Sequence, residues 1–255
     1  MRTYVVDAFT GTAFAGNPAG VVLLDEPADP EWMQSVAAEL KHSDTAFVED
    51  APPGEPKPLR WFTPTTEVEL CGHATLASAH VLGGNQRFDT LSGELPCTND
   101  DGVIVMELPA DAAKPVEAPE RVLDGLDGIT VEEVAQGSSK LLVRARSAAE
   151  VRALEPDFER LVEAPGGVIV TAEGDRAGID VVSRFFAPGK GIPEDPVTGS
   201  AHCLLGPWWA AKWDRIELVG EQASPRGGLV GMTVRSERVE ISGRAVTVLR
   251  GELLA

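Results

Sequence analysis

The feature that most constrains this chain is a pattern that occurs twice. In the first half, Arg60-Trp61-Phe62-Thr63-Pro64 is followed by Glu67 and Glu69, then by Gly72-His73-Ala74 opening an apolar run. In the second half, Arg184-Phe185-Phe186-Ala187-Pro188 is followed by Glu194 and Asp195, then by Gly199-Ser200-Ala201 opening another. Each copy reads arginine, aromatic, phenylalanine, any residue, proline, acidic loop, glycine–polar–alanine, helix. Order and residue types agree, so the chain is expected to fold as two similar halves, 1–115 and 116–255. The Pro- and Ala-rich segment 109–120 is the natural linker, and the last strand is free to cross back to the first half.

Short β-branched or alternating runs bounded by Gly, Pro, Asn or Asp predict strands at 3–9, 19–24, 45–48, 60–62, 103–108, 140–144, 168–172, 181–186, 229–234, 239–241 and 245–249. Asp29-Pro30-Glu31 supplies an N-cap, a first-turn proline and an acidic first turn for a helix ending near Leu40. Helices are also expected over 72–82 and 199–209, with short ones at 130–136, 148–154 and 157–162. Strands do not alternate regularly with helices, so the fold class is a strand-rich α+β.

Composition narrows the partners. Lys and Arg number 22 against 40 Asp and Glu, a formal charge of −18. Counterion release rewards basic surfaces, so nucleic acid and anionic membranes are disfavoured. No apolar run approaches the roughly 18–20 residues that a membrane helix needs, and the opening 1–7 reads as a strand, since Asp7 interrupts it. Cysteines stand at 71, 97 and 203, with no Cys-x-x-Cys pair, which fits a reducing cytoplasm better than a disulfide framework or a zinc site. There is no Gly-x-Gly-x-x-Gly and no Walker-type loop, so neither a metal nor a nucleotide cofactor is expected.

Both repeated helices begin after a polar loop of little bulk. Free backbone N–H groups and the positive end of a helix dipole favour an anion, so a small carboxylate, or the enolate-like anion formed beside one, is the expected ligand. His73 stands at the first terminus and can donate a hydrogen bond, shuttle a proton, or simply cap the helix. His80 and His202 lie deeper and read as packing or surface residues. His42-Ser43-Asp44 ends a helix in a turn that could present a carboxylate, although Asp44 is equally an ordinary turn residue. Asp195 reads as a helix cap, a part that Thr198 or Ser200 could also play.

Cys71-Gly72-His73-Ala74-Thr75, the run Gly191 to Cys203 that contains Glu194-Asp195-Pro196-Val197-Thr198-Gly199-Ser200, and the early Gly16-Asn17-Pro18-Ala19-Gly20 closely resemble the PhzF-like phenazine-biosynthesis isomerase family. Arg60–Pro64 and Gln222-Ala223-Ser224-Pro225-Arg226-Gly227-Gly228 fit as well, and the resemblance runs from about residue 3 to 252. It implies the diaminopimelate-epimerase-like fold: two related domains, each a curved sheet around a central helix, with the active site between them. It further implies a cofactor-independent isomerase, a small carboxylic-acid substrate, a role in secondary metabolism and a homodimer. By motif the acid/base residue falls on Asp44, a supporting histidine on His73 and a second acid on Asp195. Asn17, Gly72, Ala74, Gly199 and Ser200 fall on substrate-binding positions.

Two departures stand out. The family has Glu where this chain has Asp44, one methylene shorter. Related epimerases and racemases use a cysteine at each helix N-terminus; here Cys71 precedes Gly72, but the opposite loop offers Pro196 and no thiol. A two-thiol racemase is therefore disfavoured, while a one-base epimerase, a dehydratase and a non-catalytic binder of small acids or of a protein stay open.

Overall fold

The computed structural model describes residues 1–164 and 166–255. Contacts divide the chain into two compact units, Met1–Glu107 with Ser242–Ala255, and Leu108–Ile241.

The first unit contains β1 (Arg2–Ala8), β2 (Asn17–Leu24), α1 (Pro30–Leu40), β3 (Asp44–Glu49), β4 (Lys57–Phe62), β5 (Glu67–Val68), α2 (Gly72–Leu82), β6 (Gln86–Thr90) and β7 (Gly93–Asp100), and β8 (Val103–Pro109) leads out of it. In the second unit follow β9 (Lys114–Pro115), α3 (Glu120–Asp124), β10 (Val131–Gln136), β11 (Leu141–Ala145), α4 (Ala148–Ala153), α5 (Phe158–Leu161), β12 (Val168–Glu173), β13 (Val181–Ala187), β14 (Ile192–Asp195), α6 (Gly199–Trp213), β15 (Glu217–Gln222) and β16 (Gly228–Arg235). The chain leaves through β17 (Arg238–Gly243) and returns to the first unit as β18 (Ala245–Glu252).

The repeat read from sequence is a repeat of topology. In the first unit the strand order is β18-β1-β2-β3-β4-β6-β7, paired antiparallel, antiparallel, parallel, antiparallel, parallel and antiparallel. The order β9-β10-β11-β12-β13-β15-β16 in the second unit has the same succession of senses. The short β5 pairs with β4 as β14 pairs with β13. A parallel neighbour needs a crossover, and the equivalent crossovers carry α2 in one unit and α6 in the other.

The twin Arg-aromatic-Phe strands also share their chemistry. Arg60 donates from Nε and Nη2 to the two oxygens of Glu67, at 2.7 and 2.8 Å. Arg184 does the same to Glu194, at 2.7 and 2.9 Å. Each guanidinium also lies over the Phe two residues on, 5.3 Å from the Phe62 ring and 5.0 Å from that of Phe186. The bidentate pair ties the central strand to the short strand leading into the helix.

Helix α2 packs against β1, β2, β3, β7 and β18. Residues His73 to Ala79 are all buried, so the helix is the core of its unit. Small side chains let the strands approach, and the Thr75 and Ser78 hydroxyls donate back to the carbonyls of Cys71 and Ala74, at 2.6 and 2.8 Å. On another face, α1 buries Met33, Val36 and Ala37 against Val22, Leu24, Phe47 and Phe62. Full burial of a side chain such as Met33 contributes about 1.5–3 kcal/mol. Helix α6 packs on β15 and β16. It contains Pro207, which cannot bond the carbonyl of Cys203; Asp111 N–H takes that carbonyl instead, at 3.0 Å.

Several expectations need correction. Residues 108–115 belong with the second unit, because β9 pairs with β10. The segment 130–136, read as a short helix, contains strand β10: its Glu, Ala and Gln favour a helix locally, but Glu133 to Gln136 are held in register with β11, after an irregularity between Val131 and Glu133. Helix α6 continues to Trp213, beyond the expected end at 209. Strands β6, β7 and β15 had no clear alternation. In β7 the inward positions are only Leu95 and Cys97, with Pro96 between them.

Candidate active site

In the first unit, the parallel pairing of β2 with β3 sets Ala19 beside Asp44, and so brings Asn17 to the Ser43-Asp44 turn. Asn17 is fully buried and its Oδ1 accepts from the Ser43 hydroxyl at 3.1 Å. The preceding Gly16 has φ 66°, and a Cβ there would come within 2.2 Å of the Ala8 carbonyl oxygen, so only glycine fits. The Gly-Asn-Pro motif is thus a turn that seats a buried amide.

Helix α2 delivers the second half of this cluster. Cys71 is its N-cap residue, and among the described residues no side chain caps that end. Helix geometry leaves the N–H groups of Gly72, His73 and Ala74 without intrahelical acceptors. The His73 ring sits between two neighbours: Nδ1 is 3.4 Å from Cys71 Sγ, and Nε2 is 3.8 Å from Asp44 Oδ2. Burial, reinforced by the charge of His42, pushes the His73 pKa down to about 3. The ring is therefore neutral at ordinary pH, so the Asp44 carboxylate faces an uncharged imidazole.

In the second unit, Asp195 ends β14 and is built into its own turn. Its Oδ2 accepts from the Thr198 hydroxyl at 2.5 Å, and its carbonyl accepts from Gln222 Nε2 at 2.7 Å. Gln222, fully buried, also accepts the Thr198 N–H at 2.8 Å, so one amide side chain clamps the loop that opens α6. His202 Nδ1 lies 2.8 Å from the Thr198 carbonyl, which fixes the proton on that nitrogen while burial lowers the pKa to about 4. Gly199 is buried and Ser200 exposed, at an N-terminus that again has no side-chain cap among the described residues. The topology puts Thr198, not Pro196, in the place that Cys71 holds in the first repeat.

Asn17, Asp44, Gly72, His73 and Ala74 therefore gather in one unit, and Asp195, Gly199 and Ser200 in the other. Sequence reasoning named Thr198 as a possible cap, and it is the N-cap residue of α6, but passed over Gln222 and the clamp that the two form. The signal for Gln222 was the Gln222–Gly228 motif, whose opening residue is a polar side chain at an inward strand position.

A sequence profile described as phenazine biosynthesis-like protein matches residues 6–251. The chain belongs to the phenazine biosynthesis-like family. Within this family it is 43% identical to an uncharacterized isomerase of Halalkalibacterium halodurans, covering 98% of this chain and 97% of the relative. A PhzF family protein of Enterococcus faecalis is similar in structure, with a TM-score of 0.93, 36% identity, and coverage of 100% and 99%. A predicted epimerase of Pseudomonas aeruginosa shares the fold at a TM-score of 0.73 and 19% identity, covering 100% and 99%. The fold of this phenazine biosynthesis-like protein is the diaminopimelate-epimerase-like one. Among the described residues no helix is long and apolar enough to cross a membrane.

The buried histidines make acid destabilising in a defined window. The unfolded chain takes up these protons near pH 6.5, whereas folded His73 and His202 do so only near 3 and 4. Stability is then complete above pH 6.5 and falls as pH drops below it, each histidine adding a slope of up to about 1.4 kcal/mol per pH unit. His202→Gln should flatten this loss, measured by urea unfolding at a series of pH values. An unchanged slope would mean that His202 is already protonated in the folded protein.

Proposed function

We propose that this protein is an isomerase that moves a proton, and with it a double bond, on a small carboxylic acid, without a cofactor. Asp44 takes the proton from one carbon and returns it to another. The observation that carries this reading is the uncharged His73 ring 3.8 Å from the Asp44 carboxylate. With the ring uncharged, no positive charge stands beside the carboxylate at that distance. His73 orients the carboxylate. The N–H groups of Gly72 and Ala74 at the start of α2 supply donors for the substrate carboxylate and for charge that develops beside it, and in the second unit those of Gly199 and Ser200 offer donors of the same kind. Asn17 and Ser43 steady the turn that carries Asp44, and Asp195 with Thr198 and Gln222 shapes the turn that carries Gly199.

The test is solvent exchange. Incubated in deuterated buffer with candidate unsaturated hydroxy- or amino-acids, the protein should place deuterium at a new carbon as the double bond shifts. Deuterium at the original carbon with inverted configuration would make it an epimerase, and no uptake with any bound acid would make it a binder. Turnover should survive exhaustive chelation. A loss that is restored by adding a metal would overturn the cofactor-free part of the reading.

A further inference from the structure

Cys71 occupies a position whose usual work its side chain does not do. As the N-cap residue of α2 it stands where Ser, Thr, Asp or Asn would bond an N–H of the first turn. Among the described residues its thiol makes no such bond. Sγ lies instead 3.4 Å from His73 Nδ1, while Asp44 Oδ2 lies 3.8 Å from Nε2, so the two neighbours approach opposite nitrogens of the ring. His73 is only 5% exposed, and its Nε2 has no hydrogen-bond partner among the described residues.

What each neighbour can donate or accept assigns the ring proton. A neutral imidazole carries one proton, on one nitrogen, and burial keeps this ring neutral. An ionised carboxylate accepts hydrogen bonds and donates none. A lone pair on Nε2 would face it in repulsion, whereas an N–H there is attracted. With the proton on Nε2, Nδ1 is an acceptor, and the thiol beside it is a donor. We propose that Cys71 is a positioning residue of this site: its S–H donates to His73 Nδ1 and holds the ring in the tautomer that carries its proton on Nε2, turned toward Asp44. Thiol, imidazole and carboxylate then form one directional chain, in which Cys71 sets the ring and the ring sets the carboxylate. The effect on turnover rests on the isomerase reading; the tautomer itself does not. His202 supplies the contrast. Its Nδ1 lies 2.8 Å from the Thr198 carbonyl, which only accepts, so this second buried ring carries its proton on the other nitrogen.

¹⁵N NMR of the full-length protein, labelled at histidine and held at neutral pH without substrate, reads both rings, because protonated and bare ring nitrogens resonate far apart. His73 should show a protonated Nε2 and a bare Nδ1, and His202 the reverse. Cys71→Val is close in shape and has no donor. It should move the His73 Nδ1 signal to that of a nitrogen accepting no hydrogen bond. It should also lower kcat about three- to tenfold with KM little changed, the usual worth of one neutral hydrogen bond. A proton on His73 Nδ1 in the wild-type protein would overturn the proposal, and that measurement needs no variant to fold. An unmoved Nδ1 signal or an unchanged kcat in Cys71→Val would overturn it as well. The spectra use no substrate, so a failed exchange assay would remove the isomerase reading and leave the tautomer standing, and a misplaced proton would do the converse.

Discussion

Asp44→Asn is expected to lower turnover by about 10²–10⁴-fold while substrate affinity changes little, the usual worth of a positioned acid/base. Asn is nearly isosteric and keeps the turn beside Ser43 and Asn17, so the loss isolates the carboxylate. Asp44→Glu is the sharper comparison, because it restores the residue that the resemblance leads one to expect. The Asp44 side chain is 13% exposed, with His73 at 3.8 Å and Cys71 in the same cluster. An added methylene has little room and pushes the carboxylate out of place. Glu should therefore be slower than Asp, read as the rate of deuterium incorporation at saturating substrate. Asp44→Asn at the wild-type rate would remove Asp44 from the mechanism, and Asp44→Glu faster than wild type would show a site cut for the longer acid.

Glu194→Gln is expected to destabilise the protein by about 3–5 kcal/mol, whereas Glu67→Gln, at the equivalent place in the repeat, should cost about 1 kcal/mol or less. The two ion pairs have the same bidentate geometry and differ in burial. The side chains of Arg184 and Glu194 are 9% and 12% exposed, against 29% and 27% for Arg60 and Glu67. Arg184 is also the more committed residue, since its Nη1 donates to the carbonyls of Val151 and Leu154 at 3.4 and 2.5 Å. Removing the Glu194 charge leaves a buried guanidinium uncompensated, while Arg60 can turn to water. The midpoint shift in urea measures both. Equal losses at the two sites would mean that burial does not govern this motif.

The repeat in the amino-acid sequence already specified two like sheets, each with a helix entered through Gly-polar-Ala, because strand, acidic loop and helix start are local patterns. The capped start of α1 and the buried run of α2 were legible for the same reason. The candidate acid at Asp44 came from the motif resemblance, since a turn aspartate by itself is unremarkable. What the sequence hid are features whose partners lie far along the chain. Strand β15 points Leu218, Gly220 and Gln222 inward. Gly220 is there because a Cβ would come within 3.0 Å of His202 Nε2, and Gln222 because it must reach Thr198 and Asp195. An inward glycine and an inward glutamine erase the apolar alternation by which a strand is read. Strand β10 likewise yielded its local helical preference to pairing with β11. The meeting of Cys71, His73 and Asp44 is of the same kind. Two of them share a helix start, but the third arrives by the parallel pairing of β2 with β3 and the packing of α2 on both strands. Local propensity and periodicity determined which elements form, and only tertiary pairing and close packing decided which side chains became neighbours.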